Sequence, residues 1–129
     1  MKLFSLLSVV AVIMACVEAA KPVKHIVMFS FREGTSKSDI RRIRRRLLDL
    51  PRQIPEIRQF ELGKDLELRS GQIHPAGKNR VIAWTATFAS KQHYEAYAEH
   101  EAHKEFLDVL KSSILPGSRA AIQYEITKD

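Results

Sequence analysis

The sequence predicts an α+β fold in which four strands and two helices follow the order β-α-β-β-α-β. Three observations carry this prediction: alternating apolar residues in the strands, apolar residues at helical spacing after capping serines, and proline or glycine breaks between the segments. Elements in this order form the ferredoxin-like, or split βαβ, arrangement. We therefore expect a four-stranded antiparallel sheet with helices on one face.

The first predicted strand is apolar on both of its faces. It runs from Val23 to Phe31, and one face carries His25, Val27, Phe29 and Phe31. Ile26 and Met28 partly fill the other face. An apolar second face on a small domain predicts a partner that covers it, most simply a second copy of the chain.

The first helix is predicted to begin after Ser36, with Asp39 at the capping-box position. Its apolar stripe consists of Ile40, Ile43, Leu47 and Leu50. Proline interrupts helices because it lacks an amide hydrogen and its ring clashes with the preceding turn. Pro51 and Pro55 are therefore expected to end this helix.

The next two strands and the loop between them follow from alternation and breakers. The segment Ile57–Leu68 predicts a second strand with a bulge at Gly63. Its inward residues would be Phe60, Leu62, Leu66 and Leu68. A loop over 69–79 contains two glycines and a proline. The segment Val81–Phe88 is rich in β-branched and aromatic residues, which favours a third strand.

The carboxyl-terminal part predicts a helical region and a last strand. Ser90 is placed to cap a helix, and the pattern continues helically from Glu101 to Ser113, where Pro116 and Gly117 stop it. The last strand is expected over Ala121–Ile126. One of its faces would carry Ile122, Tyr124 and Ile126.

The amino terminus resembles an export signal. Leu3–Cys16 is an uncharged, mostly apolar run that is shorter than the roughly twenty residues of a membrane span. We expect a signal peptide over residues 1–19, cut near Ala19, and a folded domain over 20–129. The protein would then be secreted or lumenal/periplasmic, without a transmembrane span. The alternative is a lipid anchor at Cys16, the only cysteine in the sequence.

The chain carries a formal net charge of +6, much of it concentrated on the first helix. Its basic residues there are Arg41, Arg42, Arg44, Arg45 and Arg46. Export and the lack of interleaved aromatic residues argue against nucleic acid as a partner. Two interpretations stay open: a solvated helix face, or attraction to anionic lipid or cell-envelope polymers.

The ordered set of short motifs resembles the stress-responsive A/B barrel family, the dimeric α/β barrel proteins. The matching residues are Val23-Lys24-His25, Phe29, Phe31, Leu50-Pro51, Ile54-Pro55, Gly63-Lys64-Asp65, Phe88-Ala89-Ser90, Tyr97, His100 and His103. The resemblance covers Val23 to Ile126 and implies a homodimer whose two sheets form a barrel-like core. Glu101 stands where the family often has proline.

The resemblance also implies a site. The family includes plant stress proteins, some reported as antimicrobial, and a plant polyketide cyclase that carries out an aldol condensation without a cofactor. Residues at the positions of Tyr97 and His103 carry that chemistry, and the residue matching His25 lines the same pocket. A further histidine of the cyclase aligns near Ile82 and is absent here, which argues against the same substrate.

The residues themselves make Tyr97 and His103 candidate catalytic groups. Six positions apart, they would diverge by about 120° on one straight helix, so they converge only if the helix breaks near His100. A neutral imidazole could then remove a proton next to a carbonyl while the phenol stabilises the enolate. The alternative is structural: Tyr97 packs on the sheet and His103 fixes the turn.

Further candidates would bind a ligand rather than react with it. They are His25, Val27, Phe29, Trp84 and His100. His25 and Trp84 also have a simpler interpretation as core residues. No zinc-binding spacing, phosphate-binding loop or nucleophilic cysteine is present, so we expect no metal and no cofactor.

Three functions stay open from the sequence. The first is an exported homodimer that binds a small apolar ligand beside the sheet. The second is a cofactor-independent lyase or cyclase that uses Tyr97 and His103. The third is a basic defence protein that acts on anionic envelopes.

Overall fold

The computed structural model of the chain describes residues 20–75, 77 and 79–128. The strands are β1 (Val23–Phe29), β2 (Gln59–Lys64), β3 (Ile82–Phe88) and β4 (Ala120–Glu125), and the helices are α1 (Lys37–Gln53), α2 (Lys91–Glu99) and α3 (Glu101–Leu110). The ferredoxin-like order is confirmed, with the second helical region divided in two. The predicted signal peptide and Cys16 lie outside the described residues.

The four strands form one antiparallel sheet in the order β2-β3-β1-β4. Paired residues lie on the same face, so the pairings His25↔Ala86 and Val27↔Trp84 place these residues together. This face is covered by the helices, and the core consists largely of its residues and the apolar stripe of α1. The largest fully buried side chains are Trp84, Phe29, Phe88, Ile43, Leu47 and Ile54.

None of the three helices in the described residues covers the opposite face of the sheet. Its apolar residues lie on β1 and β4: Met28 is 39% exposed, Ile122 57% and Tyr124 45%, and Ile26 pairs with Ile122. Gln59 and Glu61 occupy this face at the β2 edge, because they pair with Thr87 and Thr85. The helix-free face therefore has an apolar half on β1 and β4 and a polar half at the β2 edge, so the predicted apolar second face is present over one half only.

The first helix begins as expected, and Ser36 accepts a hydrogen bond from the Asp39 amide at 3.0 Å. It does not end at Pro51, which lies inside its last turn. Proline has a helical φ and costs only one backbone hydrogen bond there, while Leu50 and Ile54 on either side are buried. Pro55 does mark the end, because Ile54 adopts the extended conformation usual before proline.

The second strand is shorter than predicted, and two of its expected inward residues are wrong. Leu66 is 76% exposed and Leu68 is 60% exposed, beyond the end of β2. Glu67 between them has a φ of 55°, which no strand tolerates. The register of β2 against β3 is continuous through Gly63, so the predicted bulge is also absent there.

Hydrogen bonds of Ser118 join the chain at the ends of three neighbouring strands. The Ser118 hydroxyl accepts from the Ser30 amide at 3.0 Å and donates to the Leu115 carbonyl at 2.7 Å, and the Ser118 carbonyl accepts from Arg80 Nε at 3.0 Å. Because the Ser30 amide is used in this way, β1 ends at Phe29 rather than Phe31. At the opposite end, the Ile126 amide donates to the Pro22 carbonyl at 2.9 Å.

Candidate functional site

All but one of the predicted site residues meet at one cavity between the sheet and the helices. The cavity is lined by His25, Val27, Phe29, Leu47, Trp84, Tyr97, His103, Phe106, Leu107, Leu110 and Arg119. Its free volume is only ≈ 30 Å³. That is room for one or two waters, and drug-sized ligands occupy pockets of roughly 300–1,000 Å³. A ligand of this cavity is therefore compact, or the helices separate to admit it.

His100 is the predicted site residue that does not line the cavity. It ends α2 and caps α3, with its Nδ1 accepting a hydrogen bond from the Ala102 amide at 3.0 Å. Its backbone is extended, with φ −67° and ψ 139°. This residue breaks the helical region where the sequence required a break, so its structural role is to turn α3 toward Tyr97.

The break brings the two candidate catalytic side chains together. The rings of Tyr97 and His103 lie 4.4 Å apart between centroids and are tilted by 42°. Tyr97 is 4% exposed and stacks on Trp84 at 6.0 Å. Burial raises the pKa of the Tyr97 hydroxyl above its usual value, and the neighbouring Tyr94 raises the pKa of Tyr97 further. The phenol therefore remains a neutral hydrogen-bond donor at physiological pH.

His103 is held in one tautomer by the backbone. Its Nδ1 lies 3.0 Å from the Ala98 carbonyl oxygen, which can only accept, so Nδ1 carries the hydrogen. In a neutral ring Nε2 is then left as the acceptor. Burial lowers the pKa of His103, although the bond to Ala98 opposes the shift. The arrangement gives a neutral imidazole with a free basic nitrogen beside a phenol.

His25 is buried and uncharged. It is 3% exposed, and its Nδ1 lies 2.9 Å from Nε2 of Gln123, which donates to it. Its ring lies 5.8 Å from that of Tyr97 and 6.0 Å from that of Trp84. Burial lowers the pKa of His25 to about 4, and His103 and Arg119 contribute further. His25 joins the predicted pair in the same cavity.

Five lining residues were not predicted as site residues: Leu47, Phe106, Leu107, Leu110 and Arg119. Arg119 is the charged one among them. It follows the buried Ser118 and precedes β4, and its positive charge lowers the pKa of both His25 and His103. The only available signal was parity: Arg119 alternates with Ala121 and Gln123, which pair with Val27 and His25 on the helix-covered face. The last strand was predicted to begin at Ala121, two residues after Arg119, so Arg119 was not assigned to a face of the sheet.

No metal-binding group is evident in the part of the chain that the structure describes, where no cluster of three histidine, cysteine, aspartate or glutamate side chains occurs. Over the same residues, no helix has the length and apolar character needed to cross a membrane. A separate surface groove of ≈ 400 Å³ lies along α1. It is lined by Arg42, Arg45, Arg46, Leu48, Asp49 and Arg52.

Taken together, the sheet order, the divided second helix and the contact between Tyr97 and His103 define a small ferredoxin-like α+β domain with a candidate site between its sheet and its helices. A profile of the Stress responsive A/B Barrel Domain matches residues 23–126. The chain belongs to this family.

Individual relatives agree with the assignment. The stress-response A/B barrel domain-containing protein HS1 of Arabidopsis thaliana is 31% identical over 97 residues, which are 75% of this chain and 84% of that protein. A dimeric ferredoxin-like protein of unknown function from Thermobifida fusca superposes with a TM-score of 0.68 at 23% identity, covering 83% of this chain and 92% of that one.

A hydroxynitrile lyase from Passiflora edulis is also similar in structure. It superposes with a TM-score of 0.73 at 20% identity, covering 84% of this chain and 96% of that chain. At this level of identity the similarity establishes the fold and leaves the chemistry to the residues of the cavity.

Proposed function

We propose that this domain forms a homodimer that binds a compact carbonyl compound and acts on it. The proposed reaction is cofactor-independent acid–base chemistry of the lyase or cyclase type. The observation that carries the proposal is the contact between Tyr97 and a single tautomer of His103 in the cavity between the sheet and the helices. Of the functions that the sequence left open, this one uses the ionisable groups of the cavity. The first of those functions, binding of a small apolar ligand, gives these groups no role, and the ligand would have to be very small for the free volume of ≈ 30 Å³.

The proposed step is a proton transfer next to a carbonyl. His103 Nε2 takes the proton from the carbon, the electrons of that C–H bond move into the carbonyl, and the new enolate oxygen accepts a hydrogen bond from Tyr97. The imidazolium then returns its proton to the carbon or to a leaving group. The Tyr97 hydroxyl stays protonated throughout, which suits its raised pKa.

The choice of reaction class has modest support from the fold neighbour in Passiflora edulis, which is named a hydroxynitrile lyase. Cleavage of a hydroxynitrile also needs a base that removes the hydroxyl proton and a hydrogen-bonding group beside the substrate oxygen. The identity is too low to carry residues across, so the substrate of this chain is left as a compact carbonyl compound.

The test is hydrogen–deuterium exchange of small ketones and aldehydes, such as acetone and propanal, followed by proton NMR in D₂O. We expect His103→Ala to slow exchange by about 100-fold or more, since general base catalysis typically contributes that much. Tyr97→Phe should slow it while leaving the fold intact. His93→Ala is the control, because His93 is exposed on α2 and does not line the cavity.

Two results would count against the proposal. One is exchange by the wild-type protein that is no faster than in buffer for every compound of the panel. The other is an equal loss of exchange in His93→Ala. If the two cavity variants instead lose binding of a compound that the wild type never converts, the domain is a binding protein, as the first sequence hypothesis held.

The arginines of α1 support a second candidate function, binding to anionic surfaces. Arg42, Arg45, Arg46 and Arg52 surround the groove on α1, and Leu48 in the same groove is 48% exposed. We expect binding to phosphatidylglycerol vesicles that disappears as salt rises from about 0.01 M to about 1 M, where the screening length falls to about 3 Å. Replacing the four arginines with glutamine should abolish it, whereas Tyr97→Phe should not.

Export is proposed on the amino-terminal sequence alone. The apolar run and the small residues before Ala20 would give a secreted or lumenal protein that begins near this position. Amino-terminal sequencing of the protein isolated from its natural source tests this, and a start at Met1 would refute it.

A further inference from the structure

We propose that the cavity selects a compact organic oxyanion, and that Arg119 and Trp84 are the residues that bind its oxygen atoms. The inference deepens the proposed function and rests on it in one respect, since the enolate formed there would be such an anion. A short carboxylate is a stable organic oxyanion that resembles the enolate, so its binding can be tested without any turnover.

Arg119 gives the cavity its charge. Among the described residues that line it, Arg119 is the one with a full charge, and none is an aspartate or glutamate. The three ion pairs found in the described part of the chain do not include Arg119. Its guanidinium is therefore a cation without a carboxylate partner at the exposed rim of the cavity, where it faces an otherwise uncharged and largely apolar lining that favours an anion.

The other ionisable groups of the cavity do not neutralise or compete with this charge. Burial keeps His25 and His103 deprotonated near neutral pH and keeps the Tyr97 hydroxyl protonated. Arg119 itself favours these states of the histidines. The cavity wall thus has one positive charge against neutral surroundings, which gives an anionic ligand a net attraction.

Trp84 supplies a second donor that has no use within the fold. The side chain is 0% exposed and lines the cavity, and its Nε1 is buried without a hydrogen-bond acceptor among the described residues. A buried donor without a partner costs about 1–3 kcal/mol, so such groups are rare and often serve a ligand or a bound water. An anionic oxygen in the cavity would satisfy this donor.

The remainder of the lining sets the size of the ligand. Phe29, Leu47, Phe106 and Leu110 are apolar and buried, and with a free volume of ≈ 30 Å³ they leave room for a very short apolar tail. The cavity as it stands holds one or two waters, so a carboxylate or enolate of a few non-hydrogen atoms displaces them and separates the helices slightly. A neutral molecule of the same size would gain the packing but not the charge interaction.

The experiment uses acetate and propionate against acetamide and propionamide at constant ionic strength and neutral pH. Trp84 is the only tryptophan of the sequence, so the indole N–H resonance in a proton–nitrogen NMR spectrum reports the cavity without assignment. We expect a saturable shift with the carboxylates and at least about tenfold weaker binding of the amides.

Variants separate a specific contact from bulk charge. Arg119→Gln should weaken carboxylate binding by about tenfold or more, and Arg119→Lys should restore part of it. Arg44→Gln removes the same charge from the exposed face of α1 and should leave binding unchanged. Trp84→Phe, followed through the His103 ring signals, should also bind more weakly.

The outcomes for the inference and for the proposed function are distinct. Equal binding of amides and carboxylates, equal effects of Arg119→Gln and Arg44→Gln, or no saturable shift would overturn the inference, and the cavity would then hold water. Wild-type exchange of carbonyl compounds without carboxylate binding refutes the inference alone. Carboxylate binding that survives in His103→Ala, in a protein that exchanges nothing, refutes the proposed chemistry alone.

Discussion

His25 is a histidine that the fold keeps uncharged. It is 3% exposed, lies among aromatic rings and accepts a hydrogen bond from Gln123, and burial lowers its pKa to about 4. An unfolded chain would take up its proton near pH 6.5. Between these two values the unfolded state binds more protons than the folded state, so stability rises with pH across the window.

We therefore expect the free energy of unfolding to fall by about 3 kcal/mol from this residue as the pH drops from above 6.5 to below about 4, which is the shift of His25 at 1.36 kcal/mol for each pH unit. Urea unfolding of the wild type and of His25→Gln over this range measures the difference. His93→Gln is the control, because His93 is exposed. Parallel curves for the wild type and His25→Gln would contradict the assignment.

Sequence reasoning named the candidate reactive residues that line the cavity, but it did not predict the charge of the cavity. Tyr97, His103 and His25 could be named because a phenol and imidazoles are uncommon and their spacing implied a break. Arg119 is one of many basic residues in this chain, and only its parity on β4 distinguishes it. The unpaired Nε1 of Trp84 could not be predicted either, since a missing hydrogen bond depends on where every nearby acceptor lies.

At the scale of elements, His100 decides the geometry of the site. Its side chain caps α3 and its extended backbone ends α2, so the direction of α3 depends on this residue. We expect His100→Ala to cost about 1 kcal/mol of stability, the usual loss for a helix cap. His100→Asn should retain most of it, because asparagine is a strong capping residue.

The same two variants test whether the cap positions the site. If α3 reorients in His100→Ala, carbonyl exchange should fall more than stability does, and His100→Asn should restore both. Urea unfolding and the exchange assay give the two quantities. Full exchange in a destabilised His100→Ala protein would show that the contact between Tyr97 and His103 does not depend on the cap.

The elements were predicted well where one face is buried and poorly where packing overrides a local rule. Alternation identified β1 and β3 because the helices cover them. It failed at Leu66 and Leu68, where an apolar pattern continues after β2 has ended. Pro51 was read as a breaker, but the core contacts of Leu50 and Ile54 outweigh one lost hydrogen bond.

At the scale of the whole molecule, the helix-free face of the sheet is the surface that a second copy would cover. Its apolar half, with Met28, Ile122 and Tyr124, is partly exposed in the isolated chain. Dimeric relatives such as the Thermobifida fusca protein share the fold. The exposed apolar half and the dimeric relatives both support the proposed homodimer. Burial of this apolar half would supply the free energy of association.

Ile122→Lys should break such a dimer and leave a folded monomer, because Ile122 is 57% exposed in the single chain and a lysine there would be buried only on association. Sedimentation equilibrium at micromolar concentration should show association weakened by about tenfold or more. Leu48→Lys adds the same charge to the solvent face of α1 and should leave the dimer intact. A wild-type monomer at this concentration would refute the assembly.

The molecular plan was predictable from the sequence, and the size of the cavity was not. Element order and capping residues sufficed for a four-stranded ferredoxin-like domain. The free space of ≈ 30 Å³ results from how side chains of three helices and two strands pack together. No periodicity along the chain records a volume, so the expected apolar-ligand pocket could not be tested from sequence.

The hydrogen bond between the Ile126 amide and the Pro22 carbonyl places the entry and exit of the domain side by side at one end of neighbouring strands. A domain with adjacent ends can be inserted as a unit into a loop of another protein, or have its ends joined and a new opening made elsewhere. A circularly permuted chain with its new ends in the exposed segment 69–73 should therefore still fold and form the same cavity.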